Sequence, residues 1–290
     1  MIAALLIQIV NGLILGSIYA LAAAGVAVVY GTMRVLNFAN GEFYMLGGFA
    51  TFYFVVSLGL HPALGILIAA AVIFLFGMVF QVLTIRPLLD QEGALFSTMA
   101  VTLGAAILFQ NGALRLWGEQ FQSVPYYIQG ELVLDWFRLP YQRLLILGGA
   151  LLALAVTGAF LKFSRTGRAI RAVSQDPEAA AILGVPAATV QTLTFGLGVA
   201  LAAIAAGLLA PIYSVNPWMG VALNLKAFVV VILGGLGSFG GAIAAGFILG
   251  VVESLGVYFT SAEWQEVISF AVLILVILVR PWGLFGRPQS

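Results

Sequence analysis

Nine stretches of this chain are apolar over lengths that approach or match a bilayer, and almost no polar sequence is left between them. A hydrocarbon core takes about 20 apolar residues per helix. On that measure the spans fall at roughly 5–30, 43–60, 63–85, 94–114, 141–161, 188–211, 225–237, 241–259 and 265–281, with eight to ten as the range. Charged residues make up 8% of the 290, against about 25% in soluble domains, and hydrophobic residues 62%. Only a membrane solvent makes such a composition workable. The expected fold is therefore an all-α polytopic bundle forming a single transmembrane domain, 1–290, with short loops. The first run has no Lys or Arg before it and continues to Tyr30, so it reads as a retained helix rather than a signal peptide.

The same inventory excludes several functions. With no cysteine there is no disulfide framework, thiolate metal site or cysteine nucleophile. The single histidine, His61, precedes Pro62 at a break between runs and reads as an interfacial residue. A net charge of +1 gives no basis for nucleic-acid binding. No Walker P-loop occurs, and GGLGSFGG at 234–241 lacks the lysine that would reach phosphates. The spans hold no Asp and no His, which argues against intramembrane catalysis. No metal and no cofactor are expected in this chain.

Position reveals more than total charge, because cytoplasmic loops are enriched in Lys and Arg. With the N-terminus outside, Arg34, Arg86, Lys162, Arg165, Arg168, Arg171, Arg280 and Arg287 fall inside, and Arg115, Arg138, Arg143 and Lys226 fall outside. The expectation is N-out and C-in. The loop at 115–140, with Glu119, Glu131, Asp135, Trp117, Tyr126, Tyr127 and Trp136, is then an outside cap with aromatic anchors. The 162–187 loop is cytoplasmic. It ends in a compact helix with marked ends: Asp176 suits an N-cap, Pro177 the first helical position, and Glu178 the positive end of the dipole. Ala179–Leu183 propagate that helix, and Gly184 can take the left-handed closing conformation. Such a stub on a membrane body suggests docking; an ordinary basic loop is the competing reading.

Small residues are abundant, with 34 glycines. Gly196, Ala200, Ala203 and Gly207 fall on one helical face and allow close backbone approach. The Gly-rich breaks at 37–48 and 234–241, one in each half, can mark a binding site at a repeat interface, although their identities are too few to establish a repeat.

The segment RTGRAIRAVSQDPEAAAILGVP at 165–186 resembles the cytoplasmic loop of ABC importer permeases, in which an EAA-x₃-G element docks into the ATPase. Here the element reads Glu178-Ala179-Ala180, three residues, then Gly184, without the Ile-x-Leu-Pro continuation. Further blocks at 35–50, 165–185, 227–254 and 280–286 are similar to the branched-chain amino acid permease family of LivH type, in the family's order over nearly the whole chain. The resemblance implies a multi-pass permease of the bacterial inner membrane. It implies as partners a second related permease, two ATPase subunits and a periplasmic solute-binding protein, the chain itself being no enzyme. The coupling residues carried over are Arg165, Gly167, Arg168, Arg171, Asp176, Pro177, Glu178, Ala179, Ala180 and Gly184.

Polar residues within the spans are the pathway candidates. Gln8, Asn11, Leu15 and Tyr19 share a face of the first helix, flanked by Gly12 and Gly16; Thr98 and Thr102 share a face of the fourth, with Gln110 and Asn111 further along. Asn37, Asn40, Gly234 and Gly235 come from the two breaks. Glu42 and Glu253 stand out because a carboxylate near hydrocarbon must face protein or water. The competing readings are interhelical hydrogen bonding for the neutral groups, an interfacial acid before a helix starting near Phe43 for Glu42, and a structural pair with Lys226 for Glu253. A neutral polar lining without an arginine cluster suits a small zwitterion or neutral solute rather than a phosphorylated one. The resemblance selects branched-chain or other hydrophobic amino acids over urea and short amides, with primary selectivity in the binding protein. The alternative from another class is an ion-coupled secondary transporter using Glu42 or Glu253.

Overall fold

The computed structural model describes residues 2–89, 91–134 and 137–286; Asp135, Trp136 and Arg287 lie outside the described residues. Eleven α-helices follow in order among them: α1 (Ile2–Met33), α2 (Asn40–Phe52), α3 (Pro62–Phe80), α4 (Ala94–Trp117), α5 (Tyr141–Phe163), α6 (Arg165–Gln175), α7 (Pro177–Ile182), α8 (Ala187–Leu209), α9 (Met219–Gly234), α10 (Phe239–Phe259) and α11 (Gln265–Val279). One antiparallel hairpin, β1 (Glu131–Leu134) and β2 (Phe137–Pro140), interrupts the helical pattern between α4 and α5. A π-helical segment carries α2 on to Ser57, and Gln81–Ile85 with Arg86–Leu88 prolong α3.

Seven of these helices are long and apolar enough to cross a bilayer by length and composition. The expected spans 43–60 and 225–237 are instead two shorter helices, α2 and α9, shifted to begin at Asn40 and Met219. They pack on each other and on α8 or α10, so protein rather than lipid satisfies their flanks. Among the described residues the membrane body is thus seven full-length helices with two shorter ones in the interior.

α1 is the hub. It packs along α10, α8, α9 and α5, and 89% of its apolar window is buried, against 6% for the window ending α11. The α1–α10 seam closes because Gly12 and Gly16 lie on the α10 backbone around Gly250 and Gly246. On α8, Gly196 faces α3 at Phe74 and Met78, Ala203 meets Gly47 of α2, and Gly207 faces Thr51 and Ile66. The small-residue face read from the sequence is therefore a three-helix contact surface. Leu67, Leu75, Leu103, Ile107, Leu152, Ile274 and Leu278 point outward from the peripheral helices, as lipid-facing side chains do.

The two ends of the bundle differ. At one lie the start of α1, the hairpin and the α8–α9 turn, tied by a backbone bridge between Gln122 and Val215 and by Tyr127, whose hydroxyl donates to the Gly207 carbonyl at 2.8 Å. Burial pushes that Tyr127 hydroxyl above the ordinary phenol range. Trp117 stacks on Phe49 at 4.4 Å, and Tyr126 is exposed. At the other end α6, α7 and the 235–238 turn gather around the C-terminal end of α1, where Gly237 lies on Gly31. The basic residues partition accordingly. Arg34, Lys162, Arg165, Arg168 and Arg171 sit with α6, whereas Arg138 and Arg143 sit at the hairpin end.

Candidate translocation and coupling sites

The region 162–187 is more ordered than a loop. Three segments read RTGRAIRAVSQ, PEAAAI and a closing turn. The Ser164 hydroxyl accepts from the Gly167 amide at 2.8 Å and caps α6, a helix that hydropathy alone did not reveal. Its Gly167, Ile170 and Val173 recur at helical spacing on the buried face. Arg171 is anchored by donating to the Leu161 and Lys162 carbonyls at the end of α5. Asp176 Oδ1 accepts from the Glu178 and Ala179 amides, both at 3.0 Å, as expected of an N-cap.

α7 ends at Ile182, one residue before the sequence reading placed it, and closes in a Schellman motif. The Val185 amide donates to the Ala180 carbonyl and the Gly184 amide to that of Ala181, with Gly184 at φ +82°. Ala180 is the inward anchor, clustered with Val28, Ile170, Val173 and Val190. That leaves Ile182 at 87% and Leu183 at 84% exposure at the tip, beside the exposed Glu178. These two apolar residues were missed by sequence reasoning, which treated them as helix-propagating positions. Their weight comes from the tight closing turn, which turns them away from the core.

At the hairpin end, four of the pathway candidates converge. Tyr19 donates to Glu253 Oε2 at 3.0 Å, and Gln265 donates to the same oxygen at 3.0 Å. Lys226 Nζ lies 2.7 Å from Glu253 Oε1 and also reaches Ser269 and Glu266. Ser269 completes the set at Glu253 Oε1. The carboxylate of Glu253 thus accepts from Tyr19, Gln265 and Lys226, and Ser269, with one proton, faces both that carboxylate and the Gln265 carbonyl. The structural pairing with Lys226 is the arrangement present.

Beside this network lies a cleft of about 230 Å³ lined by Gln8, Asn11, Arg143, Tyr213, Glu253 and Gln265. Across Leu15, Leu209, Tyr213 and Gln265 it adjoins a second cleft of about 350 Å³ bounded by Tyr19, Lys226 and Glu266. The helical face Gln8-Asn11-Leu15-Tyr19 therefore lines the two clefts in succession. Ser254 donates to Gln8, and Arg143 donates to Asn11 Oδ1, which joins α5 to α1. Arg143 entered the sequence reading only as a charge to be counted.

The remaining candidates lie apart from that cleft. The segment between α1 and α2 leaves helical form and runs buried into the bundle. The Phe38 amide donates to Thr102 Oγ1 at 3.2 Å, and Asn224 of α9 donates to the Phe38 carbonyl at 2.7 Å. Asn37 Oδ1 accepts from the Ala39 amide, and Thr98 bonds within its own helix. Glu42 is not the interfacial acid preceding a helix near Phe43. It is buried inside the first turn of α2, at the positive end of that helix. Asn37 Nδ2, Asn40 Nδ2 and Glu42 Oε2 are buried without a protein partner. Irregular backbone at membrane depth occurs only where protein or a polar cavity surrounds it, so this break is a second polar node.

Gly234 and Gly235 join neither node. Glu253 lies fourteen residues, about 21 Å, along α10 from its start at Phe239, whereas these glycines precede it. Gly234 packs on Gly241, and Gly235, at φ +99°, packs on Gly286 of the C-terminal segment. Leu284 and Phe285 amides donate to the Leu233 and Gly234 carbonyls. Both glycines serve a tight reverse turn at the α7 end.

Comparison with known proteins matches the geometry. The family described as branched-chain amino acid transport system / permease component matches residues 8–277. The high-affinity branched-chain amino acid transport system permease protein LivH of Escherichia coli (strain K12) is 35% identical, covering 97% of this chain and 96% of LivH. The corresponding permease protein BraD of Pseudomonas aeruginosa is 35% identical over the same shares. Among solved structures, PsaBC from Streptococcus pneumoniae in complex with Fab superposes with a TM-score of 0.52 at 15% identity, covering 97% of each chain, which is a likeness of fold.

Proposed function

This chain belongs to the family of branched-chain amino acid transport permease components, and from that premise we propose that it is the membrane-spanning subunit of an ATP-driven importer of branched-chain and other hydrophobic amino acids. It is a multi-pass protein of the bacterial inner membrane, in the N-out and C-in orientation, with α7 cytoplasmic. The chain supplies no covalent chemistry. It holds a pathway whose access alternates, and ATPase subunits drive the change by closing against the exposed Glu178-Ile182-Leu183 tip. A second related permease completes the pathway, and an extracytoplasmic binding protein delivers the solute at the hairpin end.

The observation that carries this reading is α7 itself. A helix capped at both ends, anchored inward by Ala180 and apolar at its tip, is a rigid lever tied through α6 to α1 and α5. The pairing of Glu253 with Lys226 weighs against Glu253 as the site of the ion-coupled alternative, which then rests on Glu42.

Reconstitution tests the proposal. Leucine uptake into liposomes is expected only with the partner permease, the ATPases, ATP and the binding protein present. Uptake by the purified chain alone would instead identify a secondary transporter. Calorimetry of the neighbouring binding protein against leucine, isoleucine, valine, urea and acetamide selects the substrate class.

A further inference from the structure

We propose that Arg143 receives the carboxylate of the solute as it enters the cleft beneath the hairpin. The inference rests on the permease reading and adds to it a residue and a chemistry. Two cations face the paired clefts, Arg143 and Lys226. The Lys226 ammonium has three donors, and Glu253, Ser269 and Glu266 take them. Arg143 is different. Among the described residues its guanidinium makes one side-chain bond, to Asn11, out of five N–H donors.

That single bond has a positioning effect. Asn11 takes an N–H of Nη1 and ties the guanidinium to α1, which leaves the Nε–Nη2 edge to pair with a ligand in the cleft that Arg143 lines. A fixed fork is the geometry that pairs with a carboxylate through two parallel bonds. Glu253 on the same wall would repel an incoming carboxylate if its charge were bare, but the Lys226 ammonium pairs with it at 2.7 Å and Tyr19 and Gln265 donate to it, which weakens that repulsion. The cleft at about 230 Å³ falls below the roughly 300–1,000 Å³ usual for drug-sized ligands, in keeping with a small amino acid. Tyr213 and Leu15, which continue into the second cleft, give an apolar side chain a surface to follow. A neutral amide or urea would gain nothing from the fork that a zwitterion gains.

The test uses the complete transporter in liposomes, with leucine as the probe, and compares wild type with Arg143→Gln and Arg143→Lys. Two quantities are read: leucine uptake, and ATP hydrolysis as a function of binding-protein concentration. Arg143→Gln is expected to lower uptake about tenfold, the scale of one charge-assisted contact, with the half-saturating binding-protein concentration unchanged. Arg143→Lys is expected to keep most of the uptake. The proposal is overturned if Arg143→Gln transports like wild type, or if both variants lose uptake alike. It is also overturned if the half-saturating concentration rises with the loss, which would make Arg143 a docking contact. Absence of leucine uptake by wild type would sink the permease reading itself, whatever the variants do.

Discussion

Lys226 of α9 and Glu253 of α10 meet at 2.7 Å in an environment where their side chains are only 5% and 1% exposed. The pair joins two neighbouring helices, and Tyr19 and Ser269 extend it to α1 and α11. Four helices therefore share one node, a buried ammonium held between Glu253 and the more exposed Glu266, immediately beside the candidate pathway.

Breaking that node from one side should be costly. Lys226→Met leaves a buried carboxylate uncompensated and should destabilise the chain by about 3–5 kcal/mol. The double variant with Glu253→Gln removes both charges and should recover part of the loss. Thermal unfolding in detergent, followed by size-exclusion fluorescence, reads the difference. Equal melting temperatures for the single and double variants would show that the charges are not what holds these helices.

Close packing gives a contrast between two glycines. A Cβ built on Gly198 of α8 would stand 2.8 Å from the Gly25 carbonyl oxygen of α1, whereas one on Gly104 meets nothing within 4 Å. Gly198→Val should lose about 1–3 kcal/mol through forced separation of the helices. Gly104→Ala should be neutral or gain about 0.5–1 kcal/mol by restricting the unfolded backbone. The same melting assay reads both, and the ranking of the two variants is the test.

At the α7 tip, Ile182→Asp and Leu183→Asp change side chains that touch little of the chain itself. Each should alter stability by no more than about 0.5 kcal/mol while abolishing co-purification with the ATPases. Glu178→Lys reverses the charge at the proposed docking face and places a cation at the positive end of the helix, unfavourable by about 0.3–1 kcal/mol. Gly184→Val forces a branched residue into φ +82° at about 1–2 kcal/mol. Both should stop ATP-driven uptake in an inserted, folded chain; normal uptake with intact ATPase association would refute the assignment of α7.

Orientation has a direct measurement, because the sequence has no cysteine. Arg168→Cys should react with a membrane-impermeant maleimide only after cells are permeabilised. Labelling in intact cells would invert the topology.

Much of the fold could be read from the sequence because hydropathy reports the solvent. Long apolar runs become long helices whatever they pack against, and the α7 caps depend on residues within a few positions of one another. α6 escaped because its buried face is only Gly167, Ile170 and Val173 in an otherwise polar stretch. The site was less legible. The face Gln8-Asn11-Leu15-Tyr19 is a local property of α1, but its meeting with Glu253 spans 234 residues of chain. The interfacial reading of Glu42 stayed open because the start of α2 could not be placed before the inward entry of residues 35–39 was known.

The sequence by itself determined that the chain lives in a bilayer, where its long apolar helices lie, and that Asp176 and Gly184 bound a short rigid helix. Those outcomes follow from local chemistry: transfer of apolar side chains, amide capping and backbone stereochemistry. Only the tertiary structure decided that Glu253 is paired with Lys226, that Arg143 keeps donors facing a cleft, and that Gly234 and Gly235 lie far from both. In an apolar solvent the placement of a polar group depends on which partner reaches it, and partners are assigned by helix packing rather than by neighbours in the chain.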